Sequence, residues 1–186
     1  MSINKSSPPV PLSVPERGDA GASPTVVIGL GNPLMGDDGL GIAALARLRE
    51  RWAVPPEVEL LDGGTWGMNL LPVIEDAQRV LLIDAIHADL PAGAEVIIPR
   101  HRLPRYLATK ISPHQVDLAD VLALAELRGT LPERTVAIGL QPMKVELSDG
   151  LSDPLQNRLD DLVDLVVRQL AEWGHACTLL EAPVRA

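Results

Sequence analysis

Apolar residues along this chain follow two rhythms. The first is the short unbroken run: Thr25-Val26-Val27-Ile28-Gly29-Leu30 is β-branched, without polar alternation, and closes on glycine. That pattern predicts a strand buried on both faces. Similar runs at Val58–Leu61, Val80–Ile83, Glu95–Ile98 and Thr135–Leu140 predict four more strands. The second rhythm is helical. Gly41, Leu45, Leu48 and Trp52 fall at i, i+4, i+7 and i+11, one stripe of a helix running to about Ala53. Thr65 is placed to cap a shorter helix using Met68, Leu70 and Leu71, and Leu118, Val121, Leu122 and Ala125 mark a third. The fourth has Asp153 as N-cap, Pro154 at the first position, a stripe of Leu155, Leu159, Leu162, Val163, Val166, Leu170 and Trp173, then Gly174 as the stop.

The resulting order, β-α-β-α-β-β-α-β-α, predicts a three-layer α/β/α sandwich around a mixed, mostly parallel five-stranded sheet. Between Ile86 and Glu95 the link is too short for the dozen or so residues that a parallel crossover needs. The fourth strand is therefore expected to run antiparallel.

Composition narrows the function. Residues 1–24 hold five of the 17 prolines and no apolar periodicity, which predicts a flexible tail ahead of one α/β domain, 25–174, with 175–186 as a C-terminal extension. Sixteen Lys+Arg against 25 Asp+Glu leave a charge of -9, and Phe is absent beside three Trp and one Tyr. A nucleic-acid partner needs clustered cations and stacking aromatics, so none is expected. One cysteine, Cys177, permits no internal disulfide, and no apolar run is long enough for a membrane span or a signal peptide. The expectation is a cytoplasmic protein without membrane association.

In open α/β sheets, ligands collect beyond the carboxyl ends of the parallel strands. Polar residues fall there: Asn32, Asp62 to Thr65, Asp84 and Gln141. Asp84 directly follows the most apolar run, where a carboxylate is costly unless it is paired or binds a cation. The loop Gly31 to Gly41 partly imitates a dinucleotide fingerprint, but Leu34 stands where a third glycine belongs, Pro33 removes an amide donor, and Asp37 with Asp38 brings negative charge to the place of a pyrophosphate. Asp37 reads equally as a helix cap, leaving Asp38 free for other work. Of the histidines, His87, His101 and His175 read as solvated. His114, in Ser112-Pro113-His114-Gln115, is set in a helix's first turn, where the dipole favours the neutral, metal-binding imidazole. Asp38, Asp84 and His114 would form an incomplete shell for a borderline divalent metal such as Zn or Ni, although spacings of 46 and 30 residues match no local metal motif.

Gly29-Leu30-Gly31-Asn32, Asp37-Asp38-Gly39-Leu40-Gly41, Leu61-Asp62-Gly63-Gly64-Thr65, Asp84, Ser112-Pro113-His114-Gln115 and Gly139-Leu140-Gln141-Pro142 together resemble the nickel-iron hydrogenase maturation endopeptidases, over about Thr25 to Trp173. The long Pro/Ser-rich leader is the main departure. The resemblance implies a cytoplasmic protease that removes a short C-terminal extension from the hydrogenase large-subunit precursor after nickel insertion. It also implies a reversed fourth strand and places the family's metal-contacting acids and histidine on Asp38, Asp84 and His114. In some members the first of these acids is Glu, one methylene longer.

No Gly-x-Ser-x-Gly elbow or His-Glu-x-x-His helix is present, and Cys177 lies past the last helix. The resemblance therefore gives Asp38, Asp84 and His114 as the expected catalytic and metal residues. Nickel is expected to arrive with the precursor, with no organic cofactor, and Asn32, Asp62, Thr65, Trp66 and Gln141 could line the cleft. Two other readings stay open: a nickel-dependent checkpoint that binds the precursor without cutting it, and a nucleotide-binding α/β domain.

Overall fold

A computed structural model describes residues 25–64, 66–103 and 113–180, with the side chains of 113–117 excepted. Thr65, Ser112, the leader 1–24 and residues 181–186 lie outside the described residues.

Five strands, β1 (Thr25–Leu30), β3 (Val58–Gly64), β4 (Arg79–Ala85), β5 (Glu95–Pro99) and β6 (Arg134–Leu140), form one sheet in the order β3-β1-β4-β6-β5. β1, β3, β4 and β6 pair in parallel, whereas β5 runs antiparallel to β6, so the short link after Ile86 does reverse the chain. Strand β2 (Trp52–Ala53) is separate and pairs antiparallel with β7 (Thr178–Leu179). Helix α1 (Leu40–Arg51) therefore ends at Arg51, and Trp52, expected to extend its stripe, adopts an extended conformation.

Alternation along the central strands divides the interior in two. Val26, Ile28, Val80 and Leu82 face one core with α2 (Leu71–Asp76) and α3 (Pro113–Leu127). Val27, Leu81 and Ile83 face the other, with α1 and α5 (Leu159–Glu172). Leu118, Val121, Leu122 and Ala125 are buried as their spacing predicts, whereas Met68 is exposed. The fourth predicted helix is two: α4 (Asp153–Gln156) and α5, separated at Asn157 and Arg158. Its N-cap is Ser152 rather than Asp153, and Pro154 sits within the first turn as expected. The break keeps the stripe in phase, because Leu155, Leu159, Leu162, Val163, Val166 and Leu170 are all buried.

His175 is not solvated. It is buried, and its Nε2 lies 2.7 Å from the Thr25 hydroxyl, tying the segment after α5 to the start of β1. Arg79 donates a longer bond to the same hydroxyl, at 3.4 Å.

Candidate active site

The sheet order sets the place of the site. From β1 the chain crosses to β3 on one side, and from β3 it returns past β1 to β4 on the other. Connections therefore diverge at the carboxyl ends of β1 and β4, and such a divergence opens a crevice. Asp38 follows β1 and Asp84 belongs to β4, so both fall at this end of the sheet.

Asp38 belongs to a tight 3-10 turn, Asp37–Gly39, that packs against β4. Gly31 makes the approach possible: its φ of 103° suits glycine, and a Cβ there would overlap the Asp38 carbonyl. The Asn32 N–H donates to Asp38 Oδ2 at 2.7 Å, and the Leu34 N–H donates to Asn32 Oδ1 at 3.0 Å. Asn32 is half-buried, and these two bonds make it a turn former of the loop. The same bond bears on nucleotide binding: the backbone donor a phosphate would use is already given to a carboxylate.

Asp84 lies inside β4 rather than after it, paired in register with Gly139 of β6. It is 5% exposed, Asp38 is 1% exposed, and the Ala85 N–H donates to Asp84 Oδ1 at 2.8 Å. Two buried carboxylates, one from the connection after β1 and one from β4 itself, are thereby held at one end of the sheet. His114 is in the first turn of α3, which packs on the Gly67–Leu70 turn following β3. Its imidazole lies outside the described residues. Among the described residues no three His, Cys, Asp or Glu side chains are grouped to hold a metal.

The other expected cleft residues divide by role. Asp62 is exposed in β3 opposite Gly29, and Trp66 is half-buried against one core. Thr65 lies outside the described residues. Gln141 is buried, and its amide is committed to bracing: Oε1 accepts from the Ala88 N–H (2.7 Å) and the Leu90 N–H (3.3 Å), while Nε2 donates to the Pro142 carbonyl (3.2 Å). Cys177 is half-buried and burial pushes its thiol pKa up, against the thiolate a nucleophile needs.

Of the two readings the sequence leaves open for Asp37, the helix cap is not the one observed. The residue makes no side-chain cap bond to its own helix. Instead its carboxylate, 1% exposed, accepts from the backbone N–H groups of Met143 (2.8 Å), Lys144 (3.2 Å) and Ser152 (2.7 Å) and from the Ser152 hydroxyl (2.9 Å). Burial pushes its pKa up, but the bonds from Ser152, Lys144 and Met143 outweigh burial and hold the carboxyl below its ordinary range. No local sequence signal announces this, since the partners lie 106 to 115 residues away.

Comparison with known proteins agrees with this architecture. The HycI family model, described as hydrogenase maturation protease, matches residues 42–169. The hydrogenase expression/formation protein HupD of Bradyrhizobium diazoefficiens is 37% identical over 161 residues, 86% of this chain and 84% of that protein. The hydrogenase 2 maturation protease of Escherichia coli K12 is 33% identical over 150 residues, 80% of this chain and 92% of that one. Among solved structures, the hydrogenase maturating endopeptidase HybD from E. coli superposes with a TM-score of 0.80 at 31% identity, covering 84% of this chain and 97% of that one. With most of the chain matched in sequence and the same fold built around it, the protein belongs to the hydrogenase maturation proteases.

Proposed function

We propose that this protease removes a C-terminal peptide from the nickel-loaded large-subunit precursor of a nickel-iron hydrogenase, and that nickel already seated in the precursor is what it recognises. The observation that carries this reading is that Asp38, in a turn packed against β4, and Asp84, within β4, are buried carboxylates at the same end of the sheet. Carboxylate oxygens with an imidazole nitrogen suit a borderline divalent ion, and His114 at the start of α3 is the imidazole assigned here. Contact with the substrate's nickel would fix the register of the scissile bond, which is the larger part of what positioning contributes to rate. Polarisation of the carbonyl and activation of water then fall to the nickel or to a carboxylate of the pair. Cleavage would wait for metal loading. The cytoplasm, where the precursor is made, is the proposed compartment, and among the described residues no helix is long and apolar enough to cross a membrane. The domain proper is assigned to residues 25–174.

Purified protein mixed with nickel-loaded and nickel-free precursor, with products weighed by mass spectrometry, tests the proposal. Cleavage of the loaded form alone is expected; equal cleavage of both removes nickel from recognition. Asp38→Asn, Asp84→Asn and His114→Ala should each slow processing by about 10²-fold or more. Variants that still bind the precursor without cutting it would place these side chains in the reaction, whereas full processing by all three would abolish the site. A wild-type protein that binds loaded precursor and leaves it intact would support the checkpoint reading instead.

A further inference from the structure

Beside the crevice lies a surface that the proposed cleavage does not use. The loop after β6 is laid against the loop after β1: Gly36 and Val145 form an antiparallel bridge, Met35 and Ser148 a parallel one, and the Ser148 N–H donates to the Leu34 carbonyl at 3.2 Å. Asp37 pins both ends of this strap through Met143, Lys144 and Ser152. An open pocket of about 530 Å³ is formed along it, lined by Gly36, Asp37, Met143, Lys144, Ser152 and Pro154 among others.

A strap so tied would be expected to turn its apolar side chains inward. Leu34 is instead 65% exposed, Met143 61%, Val145 37% and Leu147 81%. Single exposed apolar residues are ordinary, but four on two loops joined by backbone bridges concentrate apolar surface on one segment of the fold, as an interaction site does. Backbone order matters here, because a surface already fixed loses little freedom when a partner covers it.

We infer that Leu34, Met143, Val145 and Leu147 form a docking surface for an apolar patch on the body of the precursor protein, separate from the cleaved segment. This rests on the reading of the crevice as the cleavage site. Continuity identifies the occupant: the strap is fixed by Asp37, the neighbour of Asp38, so a protein delivering its scissile bond to the crevice lies across it. Size argues against a second copy, since four side chains fall well short of the ~800 Å² per partner of a standard stable interface. The Lys144–Glu146 ion pair, 2.6 Å, neutralises the strap's centre, which fits an apolar rather than a charged complement.

The test compares wild type with Leu147→Ser, Met143→Ser and the double variant on nickel-loaded precursor, with thermal melting as a fold control. These side chains are exposed, so the fold should hold. KM is expected to rise about tenfold for each truncated side chain that the precursor buries, with kcat unchanged within about twofold. An unchanged KM in the double variant would overturn the proposal, as would an equal loss in kcat. So would a wild-type dimer in sedimentation that the double variant breaks without altering KM, or an effect that vanishes when residues 1–24 are deleted. If wild type fails to cut the precursor, the cleavage reading falls on its own, and the surface is judged by co-sedimentation: binding lost in the double variant supports it, equal binding refutes it.

Discussion

Asp37 and Asp38 are adjacent, equally buried and chemically identical, and they do different work because their donors differ. Asp37 collects three backbone N–H groups and a hydroxyl from the strap, while Asp38 is held by the Asn32 amide at the crevice. Replacing Asp37 by Asn sets an amide NH2 against donors that face it, and unmade bonds to a charged acceptor cost about 1.5–3 kcal/mol each before relaxation. Asp37→Asn should therefore lower unfolding free energy by about 3 kcal/mol at neutral pH, measured by urea titration. The pH dependence has a definite sign. A carboxyl held below its ordinary range when folded stabilises the protein above its unfolded pKa of about 4, and that contribution fades as pH falls through the folded value. The gap between wild type and variant should accordingly close on acidification; a gap constant from pH 7 to pH 3 would show that the charge is not what holds the strap. At this scale the sequence was legible where chemistry is local. The burial of Asp84 follows from its place at the end of an apolar run, while nothing local decides whether Asp37 is a cap, because its partners are remote in the chain. His175 passed for a solvated residue because its partner, Thr25, is 150 positions away.

Elements were easier to read than their seams. The five strands of the main sheet appear where their apolar runs fall; β1, β4 and β6 are buried on both faces, and the edge strands β3 and β5 only in part. The seams are set by tertiary pairing: Trp52 leaves its helical stripe for the β2–β7 ribbon, and the last helix breaks at Asn157 and Arg158, where weak helix formation by Asn is the only local hint. Gly41 shows how an element carries the site. By propensity, Gly→Ala inside a helix gains about 1 kcal/mol. Here a methyl on Gly41 would overlap the Ile83 carbonyl and the backbone of Leu30, and strand backbone cannot step aside as a side chain can. Overpacking of that kind costs about 1–3 kcal/mol. The cost should exceed the gain, so Gly41→Ala is expected to lower the melting temperature rather than raise it. It should also slow precursor processing by about tenfold, since lifting α1 from β1 and β4 moves the Asp38 turn that precedes it. A stabilised, fully active Gly41→Ala protein would show that the helix does not set the turn's position.

At the scale of the whole molecule, the reversed β5 was legible from one short link, whereas the strand order β3-β1-β4-β6-β5 was not. It depends on which side of β1 each crossover lands, and no single segment encodes that choice. Yet this order is what sets the connections diverging between β1 and β4, so the location of the candidate site is a property of the assembled sheet. The same sheet couples the two cores. β1 gives Val26 and Ile28 to one and Val27 to the other, and β4 divides Leu82 from Leu81 and Ile83 in the same way. Neither layer of helices can lose its packing without loosening strands that support the opposite layer. Leu162→Ala, in the α5 core, and Leu122→Ala, in the α3 core, should each cost about 2–5 kcal/mol. Each should move one shared transition rather than split it, with near-ultraviolet signal, helix content and processing activity lost together. Calorimetry decides the matter: a van't Hoff enthalpy equal to the calorimetric one in both variants fits one cooperative unit. Two separable transitions in either variant would mean that a layer of helices melts alone, and the crevice between β1 and β4 would then need only half of the molecule to stay in place.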